Sequence, residues 1–488
     1  MRPSMSPRTH TLTLATLTLA ACTADTAPPS TQTTEVIGDT TIVRSHGPGE
    51  WGAPATLVPE VSIGELEGPD EYLFGTVGSI AVDDDRTVYI LDTQAQEIRV
   101  FDSTGTYIET LGRRGEGPGE LRHAEAIALL PDGRLVVRDP GNSRVQVYGP
   151  GPDETTEWRY GATTHYTDEP MYTDARGRTL LVTPGQSRED SAWQLIFLGP
   201  DGTPLDTLPQ PSSDYEPPTL KAEYVTDNSS SATSSPVPFS PTFAWALHPS
   251  GHFLTGLATE YRIELGRDVG VLRVERDHEP VPVSDGERGF LREMITQQMR
   301  NTQPDWSWDG PPIPEYKPPF LQLHPGRDGR IWVLPWPTWD FPESDERDPA
   351  APPAGPMMYL VWASYDVFEE DGTFLGTVQA PEGFSALPVP VFDGDHVWAV
   401  SRDELGVERV VRYRILVEER DIVAAQEALT DVVMAIAGVA GTAVGDCGGE
   451  SCIKVYLTAA SEALEAEIPG EFGGFRVVTE VTGEMQRR

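Results

Sequence analysis

The chain has 488 residues, with 76 Asp and Glu against 36 Lys and Arg, for a formal net charge of −40 at neutral pH. That balance excludes nucleic acid as a partner, because a phosphate backbone is neutralised by clustered cations; no basic run occurs, and the lysines are only Lys221, Lys317 and Lys454. Forty-six Gly and 45 Pro predict many turns and short elements rather than long helices.

Arg2 and Arg8 precede Thr11 to Ala21, an uncharged, Leu-rich stretch too short to span a bilayer as a stable helix. It ends in Leu19-Ala20-Ala21-Cys22, which resembles the bacterial lipobox. The resemblance implies a signal peptide over residues 1–21, lipidation of Cys22, and attachment of the mature chain to a membrane through acyl chains, worth about 0.8 kcal/mol per buried methylene. Thr23 after the cysteine, where Asp would favour retention at the inner membrane, implies the outer membrane. Residues 22–50 read as a flexible tether, richest in Thr, Ala and Pro near the start.

A repeat follows. Ile80-Ala81-Val82 matches Ile127-Ala128-Leu129, Asp92 matches Asp139, and Val100-Phe101 matches Val147-Tyr148, every offset being 47. Short β-branched runs such as Val88 to Leu91, bounded by Asp/Gly turns, make the repeated unit β rather than helical. Asp328-Gly329-Arg330-Ile331-Trp332-Val333 copies Asp132-Gly133-Arg134-Leu135-Val136-Val137, and inner hairpins recur near 76, 123, 168, 241, 318 and 388. Six four-stranded units predict a mainly β fold, a six-bladed β-propeller over residues 51–416. With the link Gly115-Glu116-Gly117-Pro118-Gly119-Glu120-Leu121 between blades, the stretch resembles the NHL-type propeller family. In that family a strand from one end of the chain often closes the ring. Here Leu57 to Leu66 is the expected closing strand, beside Val410 to Ile415.

Insertions interrupt the repeat near 209–240, read as a long surface loop, and near 286–317, where Phe290 to Arg300 has helical spacing. Trp306, Trp308, Trp336 and Trp339 either pack these insertions down or rim a recognition surface. The polar residues opening the inner strands, His123, Glu125, Glu169 and Tyr172, are the candidates for the channel. His248 and His324 are explained by a repeated turn, and Asp92 and Asp139 by turn-fixing bonds to backbone N–H groups.

Residues 417–488 predict a small α+β domain in the order αββαβ, with Cys447 and Cys452 flanking a hairpin turn and forming a disulfide in an oxidising compartment. No nucleophile elbow, H-E-x-x-H or Cys-x-x-Cys motif is present. The sequence therefore predicts no catalytic residue, no metal ligand and no cofactor. The reading is a non-enzymatic binding or scaffold protein of the cell envelope, engaging a protein, peptide or glycan. The alternative is a channel-centred hydrolase or lyase using a divalent cation such as Ca²⁺.

Overall fold

The computed structural model describes residues 32–149, 154–159, 170–184, 193–225, 229–336, 363–417, 422–434, 436–447, 451–465, 468–472 and 475–482. Cys22, Glu169 and Trp339 lie outside them.

Blade one is the antiparallel sheet Val77–Val82, Val88–Asp92, Glu97–Phe101 and Tyr107–Leu111, numbered outward from the axis. The inner strands of the next five blades begin at Ala126, Tyr172, Phe243, Gln322 and Val391. Blade sheets stack face to face, so strands such as Leu135–Asp139 are buried at every residue, unlike a sheet with one wet face. Six apolar clusters lie between the blades. Leu91 and Ile98 meet Leu135 and Val137; Val136 and Val145 meet Leu181 and Ile196; Val182 and Phe197 meet Leu247. Leu254 and Ile263 meet Leu323 and Phe368; Trp332 and Tyr365 meet Phe392 and Val397; Trp398 and Val400 meet Ile80 and Ile90 of blade one. The last contact closes the circle. This is a six-bladed β-propeller.

The turns carry the repeat. Gly133 and Gly329 stand at φ +84° and +90° in the matching Asp-Gly-Arg turns, a conformation that glycine adopts without steric cost. Asp92 accepts from the backbone N–H groups of Gly75, Gln94 and Ala95 at 2.8–2.9 Å, and Asp139 accepts from that of Arg122 at 2.9 Å. Both carboxylates fix the entry into their blades.

The N-terminal segment departs from the expected tether. β1 (Gln32–Ile37) and β2 (Thr40–Ser45) form a hairpin that adds to the outer edge of blade four, β2 running parallel to Val271–Arg276. Buried Ile42 and Val43 supply the apolar anchor that the composition of the preceding Thr-rich stretch obscures. The chain then follows blade five, where the N–H groups of Glu50 and Trp51 donate to Phe374 and Leu375. It continues as β3 (Ala55–Ile63), the fourth strand of blade six, antiparallel to Glu408–Val417. Closure therefore uses the expected segment, from Ala55 onward.

The insertions are more ordered than a surface loop. Thr219–Val225 and Ser230–Pro236 form a hairpin under α1 (Asp285–Arg300), whose N-terminus is capped reciprocally by Ser284 and Glu287. Leu220, Ala222, Leu291, Ile295 and Met299 share one core. Beyond Val417, α2 (Ile422–Val433) packs with a sheet in the order Val439–Asp446, Ser451–Leu457, Phe475–Val481, Glu471–Phe472. A disulfide joins Cys447 to Cys452 across the first hairpin.

Candidate functional site: the propeller channel

Strands alternate in direction within each blade. The starts of the inner strands and the connections between blades therefore lie at one end of the ring, and both insertions emerge there. The inner strands enclose a cavity of about 2060 Å³ that reaches this end, where Trp193 and the segment Pro209 to Ser213 join its lining.

Glu125 and Tyr172 line the cavity, as expected. Glu125, on the approach to its inner strand, pairs with Arg138 at 3.3 Å, the arginine being 4% exposed. Tyr172 opens the inner strand of blade three, its ring 5.9 Å from that of Trp245 in blade four. His123 does not belong to the channel: it sits at φ +62° in the connection before blade two, exposed and outside the lining.

Of the two readings of these tryptophans, packing holds for Trp306, Trp308 and Trp336, which sit in or against the core of the insertions. Trp306 is 5% exposed and donates its Nε1–H to the Lys221 carbonyl at 2.8 Å. Trp308 is half-buried against Trp306, with the Arg292 guanidinium 5.4 Å over its ring. Trp336 meets Phe239 edge-on at 5.0 Å. The physical reason is that the hairpin and helix bury little apolar surface alone, and the indoles supply the rest.

Sequence reading missed the aromatic arc of the wall. Trp193, Tyr215, Phe243 and Trp245 join Tyr172 in the lining, all from blades three and four or the link between them. Phe243 and Trp245 hold inner-strand positions like that of Tyr172, which was the available signal; Trp193 and Tyr215 carried none. Among the described residues, the remaining charged side chains of the lining are arginines with acidic partners: Arg402 with Glu408 at 2.7 Å, and Arg327 with Asp84 and Asp393 at 2.5 and 3.4 Å.

His324 also lines the cavity, contrary to a purely turn-forming role, whereas His248 does act in a turn, bonding Ser250 Oγ and the Gly329 carbonyl. The His324 imidazole lies between Tyr365 and Phe392, and burial lowers its pKa to about 4. A neutral imidazole is required there. Its folded pKa is below the unfolded value, so this contribution to stability is complete above pH 6.5 and is lost as pH falls from 6.5 through 4. The difference amounts to about 3 kcal/mol. We expect His324→Gln to flatten the acid limb of the stability curve by that amount, read as urea midpoints between neutral pH and the acid range; an unchanged limb contradicts the assignment.

Among the described residues, no three His, Cys, Asp or Glu side chains come together as a metal site. A family model described as a 6-bladed beta-propeller, DUF5128, matches residues 58–149. No curated protein matches the chain significantly. Among solved structures, a member of the duf4221 family from Bacteroides vulgatus is 10% identical, covering 76% of this chain and 100% of its own, with a TM-score of 0.41. Virginiamycin B lyase from Staphylococcus aureus is 9% identical, with coverage of 74% and 100% and a TM-score of 0.37. A gluconolactonase from Xanthomonas campestris is 12% identical, with coverage of 73% and 98% and a TM-score of 0.35.

Proposed function

We propose that this propeller is a lipid-anchored binding protein of the bacterial cell envelope, held at the outer membrane through Cys22, whose channel accepts part of an extended peptide or glycan from the insertion-bearing end. The observation that carries the reading is the cavity itself. At about 2060 Å³ it exceeds the roughly 300–1000 Å³ that encloses a drug-sized ligand. A rigid ring bearing long connections at one end is a usual platform for recognition.

Two measurements test it. Metabolic labelling with an alkynyl fatty acid is expected to tag the wild-type chain, and Cys22→Ser to lose both the label and the membrane fraction. On mixed peptide and glycan arrays, the wild-type chain is expected to bind, and Thr242→Trp, which sets an indole at an exposed lining position, to abolish binding without lowering the melting temperature. Binding that survives this block moves the site out of the channel.

A further inference from the structure

Three features of the channel bear on what it binds. The first is the placement of its rings. Among the described residues, Tyr172, Trp193, Tyr215, Phe243 and Trp245 occupy one arc of the wall, while the other lining aromatic residue, Phe392, is buried in blade six. Trp193 is 40% exposed, in a protein that buries Trp332 and Trp398 completely. An exposed indole beside a cavity offers a flat apolar face at little conformational cost.

The second is charge. The chain carries −40 overall, yet among the described residues each of the four charged side chains in the lining is held by an opposite charge: Glu125 by Arg138, Arg327 by Asp84, and Arg402 by Glu408. An ionic ligand gains no complementary charge there without breaking one of these pairs, and an acidic polymer is repelled on approach.

The third is unmet hydrogen bonding. On the inner strand of blade five, Gln322 Oε1 and His324 Nε2 are buried atoms with no hydrogen-bond partner, and both residues line the cavity. His324 is 6% exposed. Burying such atoms unpaired is unfavourable, and a ligand hydroxyl would offset that cost.

We propose that the channel takes a neutral oligosaccharide, its sugar faces stacked on the aromatic arc of blades three and four and its hydroxyls bonded to Gln322 and His324 of blade five. The assignment rests on the binding reading above and narrows it. A pyranose presents C–H faces to rings and neutral hydroxyls at its edges, and needs no charge on the protein.

The test is calorimetric titration of the mature, detergent-solubilised chain with maltohexaose, cellohexaose, mannohexaose and chitohexaose, alongside hexagalacturonate and an end-capped neutral hexapeptide. At least one neutral hexasaccharide is expected to bind, with affinity insensitive to salt because no net charge is neutralised. Trp193→Ala and Tyr215→Ala are each expected to weaken it about tenfold, and Gln322→Ala to weaken it with the fold unchanged by circular dichroism. If the hexapeptide binds and no neutral sugar does, the glycan assignment falls while the binding reading stands. If neither binds, both fall. Preference for hexagalacturonate with a steep salt dependence also overturns the assignment, as does sugar binding unchanged in all three variants.

Discussion

Deleting Ala55–Ile63 is expected to abolish the cooperative unfolding of the propeller, whereas deleting the Gln32–Ser45 hairpin is expected to lower its stability and leave the ring closed. β3 pairs with the third strand of blade six from Val410 to Val417. It also places Ala55 and Leu57 between blades five and six, and Ile63 between blades six and one. Glu60 joins the closure through Arg414 at 2.9 Å, Arg412 at 3.2 Å and His396 at 3.4 Å. Without the strand, two neighbouring cores open and the blade edge is left unpaired, an invitation to aggregation. By contrast, β1 and β2 extend a blade that already has four strands of its own. As a graded test, Leu57→Ala is expected to cost about 3 kcal/mol, the usual range for a large-to-small change in a packed core. Denaturant unfolding followed by tryptophan fluorescence separates the cases; an unaltered midpoint in the β3 deletion would mean that the ring closes by other means.

Lys317→Met is expected to destabilise the insertion by about 3 kcal/mol or more, and adding Glu287→Gln to restore most of the loss. The Lys317 ammonium and Glu287 carboxylate are 2.7 Å apart, each side chain 1% exposed. Glu287 also accepts from the backbone N–H of Ser284 at 2.9 Å, completing the helix cap. The pair thus joins α1 to the segment entering blade five. Removing one member of a buried ion pair leaves the other charge without compensation, while replacing both leaves neutral groups of similar size. Urea titration of the two single variants and the double variant measures the coupling. A double variant no more stable than Lys317→Met shows that the lysine acts through packing alone.

The propeller was legible because its strands repeat. The offset of 47 between blades one and two reflects a chemical need: each turn requires an Asp or Gly at a fixed place, and each strand requires apolar residues on both faces. Closure was legible only through the likeness to propellers that a terminal strand closes, for which Leu57 to Leu66 is the candidate segment. The β1–β2 hairpin was not legible. Its outer strand is largely exposed and Thr-rich, so composition resembles that of a tether, and only the edge of blade four makes it a strand.

The channel candidates divide along the same line. Glu125 and Tyr172 follow from position, because the approach to an inner strand and its first residue border the channel there. His123 fails because a left-handed backbone at φ +62° precedes the strand and takes the residue out of the inner register. Trp306 and Trp336 stayed open between packing and contact in the sequence because aromatic content alone does not distinguish a rim from a small core.

By itself, the amino-acid order determined the blade count, the cysteine pair of the C-terminal domain and the acidic character of the surface, since each depends on local pattern or on composition. Only the folded ring decided which aromatics line the channel, which charges neutralise one another there, and that Gln322 and His324 meet an aromatic wall built from other blades. Those relations join residues up to about half the chain apart, and such proximity arises from the packing of one blade on the next rather than from any spacing along the chain.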